Sequence, residues 1–324
     1  MKITSTLWII LAGMLAASSP AAAQTSWPDR PVVSIGPLAA GGGADIALRA
    51  LATFAKDRLG QPILVTNRPG GGSTAAAMEM LSKPADGYTF VALLSPGFAP
   101  EVYRHFYDVS YKSSDLVPVA RMITFPFGIL VHGSSPWKSL ADFTKDVKSH
   151  PGKYSYGHTG RGIQLHLTPA AYALKESLKL REVPTKGASE VLQILLGKHI
   201  DAGMSSVAAA RKYMETGDLR MLALQSEARE PSFPDVPTFK ELGYDFGMPA
   251  PSMSIFMKAG TPQPVVAKLH DVIKATMEDP GFIDLAKKAQ VTLSYAPPEQ
   301  VLKDIEGERN NVAPLLKQMG MFKE

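Results

Sequence analysis

Short apolar runs alternate with helix-like stretches along most of the chain, and this alternation limits the possible folds more than any other feature. Residues 32–35, 63–65 and 88–94 are β-branched and apolar, as is typical of strands, and residues 45–59 carry apolar side chains at helical spacing. Strands that are apolar along their whole length are expected where helices cover both faces of a parallel sheet. The pattern therefore predicts an α/β fold.

The same series begins again in the middle of the chain. Residues 127–131 predict a strand, Ser139 is placed to cap a helix that runs to residue 148, and a helix from 164 to about 178 follows a glycine-rich loop. Two successive series predict two similar lobes.

The chain is expected to pass between the lobes twice, near residues 122–126 and 247–252. Paired crossings of this kind form a hinge, around which two lobes can close on a ligand. The predicted boundaries place residues 24–123 and 252–324 in lobe 1 and residues 124–251 in lobe 2.

The first 23 residues have the order of a secretory signal peptide. Lys2 gives a basic start, residues 7–17 are apolar, and small residues follow up to Ala23. The apolar segment is shorter than the roughly 20 residues that a membrane-spanning helix needs. We expect cleavage after Ala23 and export to the periplasm.

Composition and missing motifs weigh against an enzyme and against a cofactor. The chain has no cysteine and a formal net charge of +4, so thiolate chemistry is excluded and nothing indicates nucleic-acid binding. No Gly-x-Ser-x-Gly elbow is present, and the glycines of residues 70–75 lack the acidic partner of a dinucleotide site. His158 and His166 lack the spacing of a zinc site. An exported hydrolase or a dinucleotide-dependent enzyme stays open as the less favoured alternative.

Two glycine-rich loops each follow a strand and open a helix. In residues 37–45, three glycines let backbone N–H groups point outward beside a helix start, which suits a carboxylate or phosphate. A plain chain turn is the alternative, and Asp45 fits an N-cap or hinge anchor better than a direct partner of an anion. Residues 157–164 form the equivalent loop of the second lobe, where Arg161 is either a ligand contact or a solvated side chain.

Several short motifs, in order along the mature chain, carry a resemblance to one family. They are WPDRP at 27–31, NRPG at 67–70, ADGY at 85–88, PTKG at 184–187, FPDVPT at 233–238 and AGTP at 259–262. Together they resemble the Bug-type solute-binding receptors of tripartite tricarboxylate transporters.

The resemblance implies a type II periplasmic binding fold without a cofactor or metal. It implies a ligand in the cleft between the lobes, delivered to membrane permease subunits by a monomer, and no enzymatic activity. A binding partner of a signalling receptor is the alternative role. The positions that match the family's ligand loops are Leu38, Ala39, Gly41, Gly42, Gly43, Ala44, Asp45, Ser95, His158, Thr159, Gly160, Gln164 and Ser205.

Departures from the family pattern bear on the ligand. Thr185 stands where the family often has tyrosine, and the acidic residue often found near Ser205 is missing. Loss of that acid disfavours an amino-group ligand. A dicarboxylate or a small aromatic carboxylate is therefore expected.

Overall fold

A computed structural model describes residues 27–160, 162–185 and 187–321. The predicted signal peptide and Arg161 lie outside these residues. The strands are β1 (Val32–Gly36), β2 (Ile63–Asn67), β3 (Thr89–Leu93), β4 (Leu116–Thr124), β5 (Phe127–His132), β6 (Ser155–Thr159), β7 (Arg181–Thr185), β8 (Ala202–Ser206), β9 (Leu219–Gln225), β10 (Ser252–Lys258) and β11 (Thr292–Ala296).

The helices come in the same alternating order. They are α1 (Gly43–Leu59), α2 (Thr74–Leu81), α3 (Ser95–Phe98), α4 (Pro100–Tyr103), α5 (Leu140–Ser149), α6 (Gln164–Glu176), α7 (Ala188–Leu196), α8 (Val207–Glu215), α9 (Gln263–Met277), α10 (Pro280–Lys288), α11 (Pro298–Gly307) and α12 (Ala313–Gln318). None of the described helices is both long enough and apolar enough to cross a bilayer.

The first sheet has the strand order β11-β4-β10-β3-β1-β2. Strand β1 pairs in parallel with β2 and β3, while β10 runs antiparallel to β3 and β4. Its central strands are buried on both faces, whereas Leu64 of the edge strand β2 is 51% exposed. Along β2, more buried and more exposed side chains alternate, because one face of this edge strand meets solvent.

The second sheet has the order β7-β6-β8-β5-β9. Strand β7 lies at its edge, as predicted for residues 182–184. Ser139 caps α5 with its side chain, which accepts from the N–H of Asp142 and so confirms the predicted helix start. The two sheets give the two-lobed α/β architecture that the sequence predicts.

Two connectors join the sheets side by side. Strand β4 ends at Thr124 and β10 begins at Ser252, and between them the N–H of Phe125 donates to the carbonyl of Pro251 at 2.8 Å. These are the regions where the sequence places the two crossings. The exact lobe boundaries at 123/124 and 251/252 stay a prediction.

The lobes also pack against each other away from the connectors. Leu167 and Ala171 of α6 share one buried apolar cluster with Val301, Ile305 and Leu316 from the C-terminal helices. Burying this shared apolar surface favours the packed arrangement of the two lobes by roughly 25 cal/mol for each Å² removed from water.

The C-terminal helix differs from its prediction. The sequence predicts one helix over residues 298–316, but five residues, Glu308–Val312, form a π-helical turn between α11 and α12. Strands β4 and β11 are not predicted from the sequence. Pro118 and Arg121 interrupt the apolar run of β4, and the side chains of β11 are only partly buried.

Candidate functional site

A cavity of about 330 Å³ lies between the lobes beside the first connector. Its volume falls in the range of about 300–1,000 Å³ that is usual for small-molecule sites. The lining residues are Leu38, Gly72, Leu94, Ser95, Pro96, Tyr103, Tyr107, Phe125, Ile163, Gln164, Leu165, Pro251 and Ser252.

The cavity forms where strands end and helices begin. Leu38 follows β1 and Ser95 follows β3, while Gln164 is the first residue of α6 in the other lobe. In α/β sheets ligands bind outside the carboxyl ends of the strands, because the loops that vary in sequence meet there. The two loops predicted from the sequence thus share one cavity through Leu38 and Gln164.

Two of the lining side chains hydrogen-bond to one buried acid, Glu308. The Tyr103 hydroxyl donates to its Oε2 at 2.8 Å, and Gln164 Nε2 donates to its Oε1 at 2.8 Å. A third lining residue, Ser95, favours the ionised form of the same carboxyl group and so lowers its pKa. The polar atoms of these three residues therefore converge on one side of the cavity, backed by a carboxyl group that is itself inaccessible to solvent.

Gln164 also ties the lobes together. Its Nε2 donates to the carbonyl of Pro249 at 2.9 Å in addition to Glu308, so both amide hydrogens are engaged. Both acceptors lie outside α6, in the second connector and in the C-terminal segment. This side chain acts as a cross-lobe link.

Ser252 contributes a buried hydroxyl group that, unlike that of Tyr103, has no described hydrogen-bond partner. It lines the cavity at 1% exposure, and its Oγ has no hydrogen-bond partner among the described residues. Leaving a buried hydroxyl unpaired costs about 1–3 kcal/mol, so the position favours a ligand oxygen that restores the bond.

Burial is the main factor in the ionisation of Glu308. Burial, opposed by hydrogen bonds from Tyr103, Ser95 and Gln164, raises its pKa from the ordinary 4.5 to about 7. Burial beside this carboxylate likewise raises the pKa of Tyr103 well above its usual value. The acid thus changes charge near neutral pH.

Asp45 shapes the first glycine loop. Its Oδ2 accepts from the N–H of Gly41 at 2.9 Å and from Arg49 Nε at 2.9 Å, and its Oδ1 accepts from Asn67 Nδ2 at 2.8 Å. Burial would raise the pKa of Asp45, but the hydrogen bonds from Arg49, Gly41 and Asn67 outweigh it and lower the pKa. The side chain is an anchor of the loop, as the sequence suggests.

The last of the three glycines, Gly43, lies beside a second, smaller cavity. Gly41 has a φ of +86°, Gly42 caps α1, and Gly43 lines a space of about 160 Å³ together with Ser206 and Phe125. Phe125 lines both cavities, so the two adjoin at the first connector. The helix start of α1 therefore faces the neighbouring space and not the main cavity.

The other predicted residues do not line the main cavity. Ala44 is buried in the core and Ala39 is exposed. Ser205 is fully buried, and its Oγ lacks a partner within the described part of the chain. Thr159 ends β6 and Gly160 is exposed with a φ of +69°. Neither loop residue lines the main cavity, and Arg161 lies outside the described residues.

His158 is fully buried and stacks on His166 with ring centroids 4.3 Å apart. With Glu182 these residues bring three potential metal-ligand atoms within 4.8 Å of one another. However, the N–H of Gly162 donates to His166 Nδ1 at 3.1 Å, which in a neutral ring places the proton on Nε2, the atom facing Glu182. Stacked rings with this tautomer suit a structural support better than a metal site.

Several lining residues were not singled out from the sequence. Tyr103 lies on a short helix, Tyr107 and Phe125 lie on connecting segments, and Ser252 is the first residue of β10. Glu308, which stands behind the cavity, lies inside a helical stretch that has no glycine loop. A glutamate within a helix is ordinarily a surface residue. Only the burial of this one distinguishes it.

A family model and curated relatives match the chain. Residues 47–321 match the family described as "Tripartite tricarboxylate transporter family receptor". A "UPF0065 protein in gbd 5'region" of Cupriavidus necator is 33% identical, covering 95% of this chain and 93% of that protein. BugT of Bordetella pertussis is 29% identical, covering 97% and 95%.

Solved structures show the same fold. A TctC solute-binding protein from Polaromonas, without ligand, is 27% identical with a TM-score of 0.81, covering 90% of this chain and 99% of that one. An R. palustris protein with adipate is 25% identical with a TM-score of 0.70, covering 91% and 98%. The two-lobed binding-protein fold predicted from the sequence is thereby confirmed.

Proposed function

Because the chain belongs to the tripartite tricarboxylate transporter receptor family, we propose that it captures a small organic carboxylate between its lobes and presents it to the membrane subunits of a tripartite transporter. The family consists of solute-binding receptors, so the chain is a receptor and not an enzyme, as the sequence predicts. The Bug-type resemblance of the motifs is likewise confirmed. We further propose that the mature protein acts in the periplasm as a monomer, after cleavage of its signal peptide.

One observation carries this proposal: the cavity between the lobes has apolar walls and a convergent set of hydroxyl groups. Leu38, Phe125 and Ile163 supply apolar surface, while Ser95 and the other hydroxyl-bearing residues supply hydrogen bonds. This combination is the usual make-up of a small-molecule site, in which a few polar groups orient a largely buried ligand.

The lining favours a ligand with an apolar body. Among the described lining residues none is lysine or arginine, so the carboxylate is paired by neutral donors. These are hydroxyl groups and the N–H groups of Gln164 and Leu165 at the start of α6, where helix geometry supplies no acceptor. An aromatic acid, or an aliphatic acid like the adipate of the R. palustris relative, fits better than a short ligand with several charges.

Capture requires lobe movement and no chemical step. A ligand entering the open cleft first meets Leu38 and Ser95 of lobe 1, and closure then brings the start of α6 against it. Closure also removes water, which strengthens each hydrogen bond to the anion. A micromolar affinity needs about 8 kcal/mol net, which a few charge-assisted hydrogen bonds and apolar contact can supply.

A thermal-shift screen of the mature protein tests the proposal. We expect benzoate or adipate to raise Tm in a concentration-dependent manner, because a ligand that binds only the folded state stabilises it. Citrate and glutamate serve as multiply charged and amino-group comparisons and should have smaller effects. If no carboxylate in a broad panel shifts Tm at millimolar concentration, and nicotinamide cofactors or esters do, the proposal is wrong.

A further inference from the structure

Glu308 occupies an unusual position behind the cavity. It is fully buried and begins the π-helical turn between α11 and α12. Such turns are rare and are found mostly at functional sites. The carboxyl group does not line the cavity itself, but each of its three side-chain partners does: Ser95, Tyr103 and Gln164.

Two of these partners have only one proton to give. The hydroxyl groups of Ser95 and Tyr103 can each donate a single hydrogen bond, either to Glu308 or to a ligand in the cavity. While Glu308 is ionised, the Tyr103 hydroxyl donates to it, and its negative charge also attracts the proton of the Ser95 hydroxyl. An anionic ligand would then face their oxygen atoms, which repel it.

The charged groups around Glu308 do not compensate its charge. Asp304 of α11 adds a repulsive negative charge. Arg121 of β4 is engaged by Asp304 at 3.4 Å and by Glu227 at 2.8 Å, and Arg309 pairs with Glu101 at 3.2 Å. On its other sides Glu308 meets Tyr103 of α4 and the neutral amide of Gln164. No described cation therefore contacts this carboxylate.

We propose that capture of a carboxylate is coupled to the uptake of one proton by Glu308, which releases the Ser95 and Tyr103 hydroxyls to bind the ligand. The proton comes from solvent and adds to a carboxylate oxygen of Glu308. The resulting carboxylic acid donates to one hydroxyl oxygen and accepts from Gln164 as before, so both oxygen atoms of Glu308 stay paired. On ligand release the proton returns to solvent. This inference rests on the proposed function, since it requires a carboxylate in this cavity.

The direction of the pH dependence follows from the ligand's charge. The pKa of Glu308 is about 7 in the unliganded protein, and a second negative charge nearby raises the pKa further. Binding is then strongest below about pH 7 and weakens as the pH rises, by up to about tenfold per pH unit until the pKa of the complex is reached.

Isothermal titration calorimetry tests this coupling with adipate and benzoate as probes. Titrations of the mature wild-type protein at about pH 8 in buffers of different ionisation enthalpy measure proton uptake directly, and we expect a value approaching one proton per ligand. Affinity measured from about pH 6 to about pH 9 should fall at least tenfold on the alkaline side.

Two variants separate a proton switch from a merely structural role. In Glu308→Gln the amide permanently mimics the protonated acid, so affinity should become independent of pH and no proton should be taken up. Glu306→Gln, an exposed glutamate on the preceding helix, should behave as wild type. The buffer series on wild type stays decisive even if Glu308→Gln does not fold.

The outcomes distinguish the inference from the proposed function. Binding of either probe without proton uptake, or with the same pH dependence in Glu308→Gln as in wild type, overturns the inference and leaves the carboxylate receptor intact. Absence of binding by every carboxylate at all pH values removes the function and the inference together.

Discussion

At the scale of single residues, the site depends on hydroxyl groups whose partners differ. Tyr103 is hydrogen-bonded to Glu308 and Ser95 favours the ionised form of that acid, whereas Ser252 is buried in the cavity wall with no described partner. A folded protein gains nothing from such an unpaired hydroxyl, because burying it without a hydrogen bond costs free energy. Its position is explained if a ligand supplies the missing partner.

Replacing this hydroxyl separates binding from folding. Ser252→Ala should weaken carboxylate affinity by about 1.5–3 kcal/mol, the usual contribution of a hydrogen bond to a charged group. The free energy of unfolding should stay the same or rise, because no protein hydrogen bond is lost. Calorimetric titration and urea unfolding measure the two effects.

Ser254→Ala provides the matched control. Ser254 lies on the same strand, is fully buried and also lacks a described partner, but it does not line the cavity. Its replacement should leave affinity unchanged. Equal losses of affinity in both variants would show that Ser252 acts through the strand and not through the ligand.

At the scale of elements, the π-helical turn decides where Glu308 points. An uninterrupted α-helix from Pro298 to Gln318 would change the register of every residue after Gly307. The π turn inserts one extra residue per turn and so alters which side chains face α4 and α6. The buried acid is therefore a property of the irregular turn and not of the helical pattern.

The buried acid in this turn should make the folded protein less stable at alkaline pH. The pKa of Glu308 rises from 4.5 to about 7 on folding, so its favourable contribution to stability is complete below about pH 4.5 and is lost as the pH rises through about 7. Glu308→Gln should abolish this loss and make the unliganded protein more stable than wild type above pH 7, by roughly 2–3 kcal/mol. Urea unfolding at about pH 5 and about pH 8 measures the difference; a wild-type protein that is no less stable at the higher pH would contradict it.

At the scale of the whole molecule, binding depends on how closely the lobes approach. Gly162 of lobe 2 lies against the Phe106 ring of lobe 1, where an added Cβ would come within 2.4 Å of the ring. The two connectors, the Gln164 link and the shared apolar cluster hold the lobes in this arrangement. A methyl group fits at the contact only if the Phe106 ring moves aside or the lobes separate.

The added methyl group of Gly162→Ala should therefore push the two lobes apart at this contact. We expect affinity for a carboxylate to fall at least tenfold although the residue does not line the cavity, with a stability loss of about 1–3 kcal/mol from crowding and from the φ of +79°. Small-angle scattering should show a ligand-induced compaction in wild type that is reduced in the variant.

Gly160→Ala isolates the effect of backbone strain. Gly160 lies in the same loop with a φ of +69°, but an added Cβ would meet only Ile163 at an ordinary 3.5 Å. This variant should lose about 1 kcal/mol of stability and keep its affinity. If it binds as poorly as Gly162→Ala, loop strain and not lobe separation is the cause.

The sequence by itself determined the fold class, the order of most elements and the family. It did so because apolar periodicity, helix caps such as Ser139 and glycine turns act over a few residues, and because short motifs recur in a fixed order. The resemblance to the family also assigned Leu38, Ser95 and Gln164 to its ligand loops, and all three line the cavity.

Only the tertiary structure decided which polar groups share that cleft. Glu308 is 144 residues from Gln164 along the chain, and Ser252 enters the wall from the first residue of β10. Burial and pairing over such distances depend on how the lobes pack, which no local pattern encodes. For the same reason the sequence could not predict that Gly43 lies beside the neighbouring cavity, or that a buried acid stands behind the hydroxyl groups.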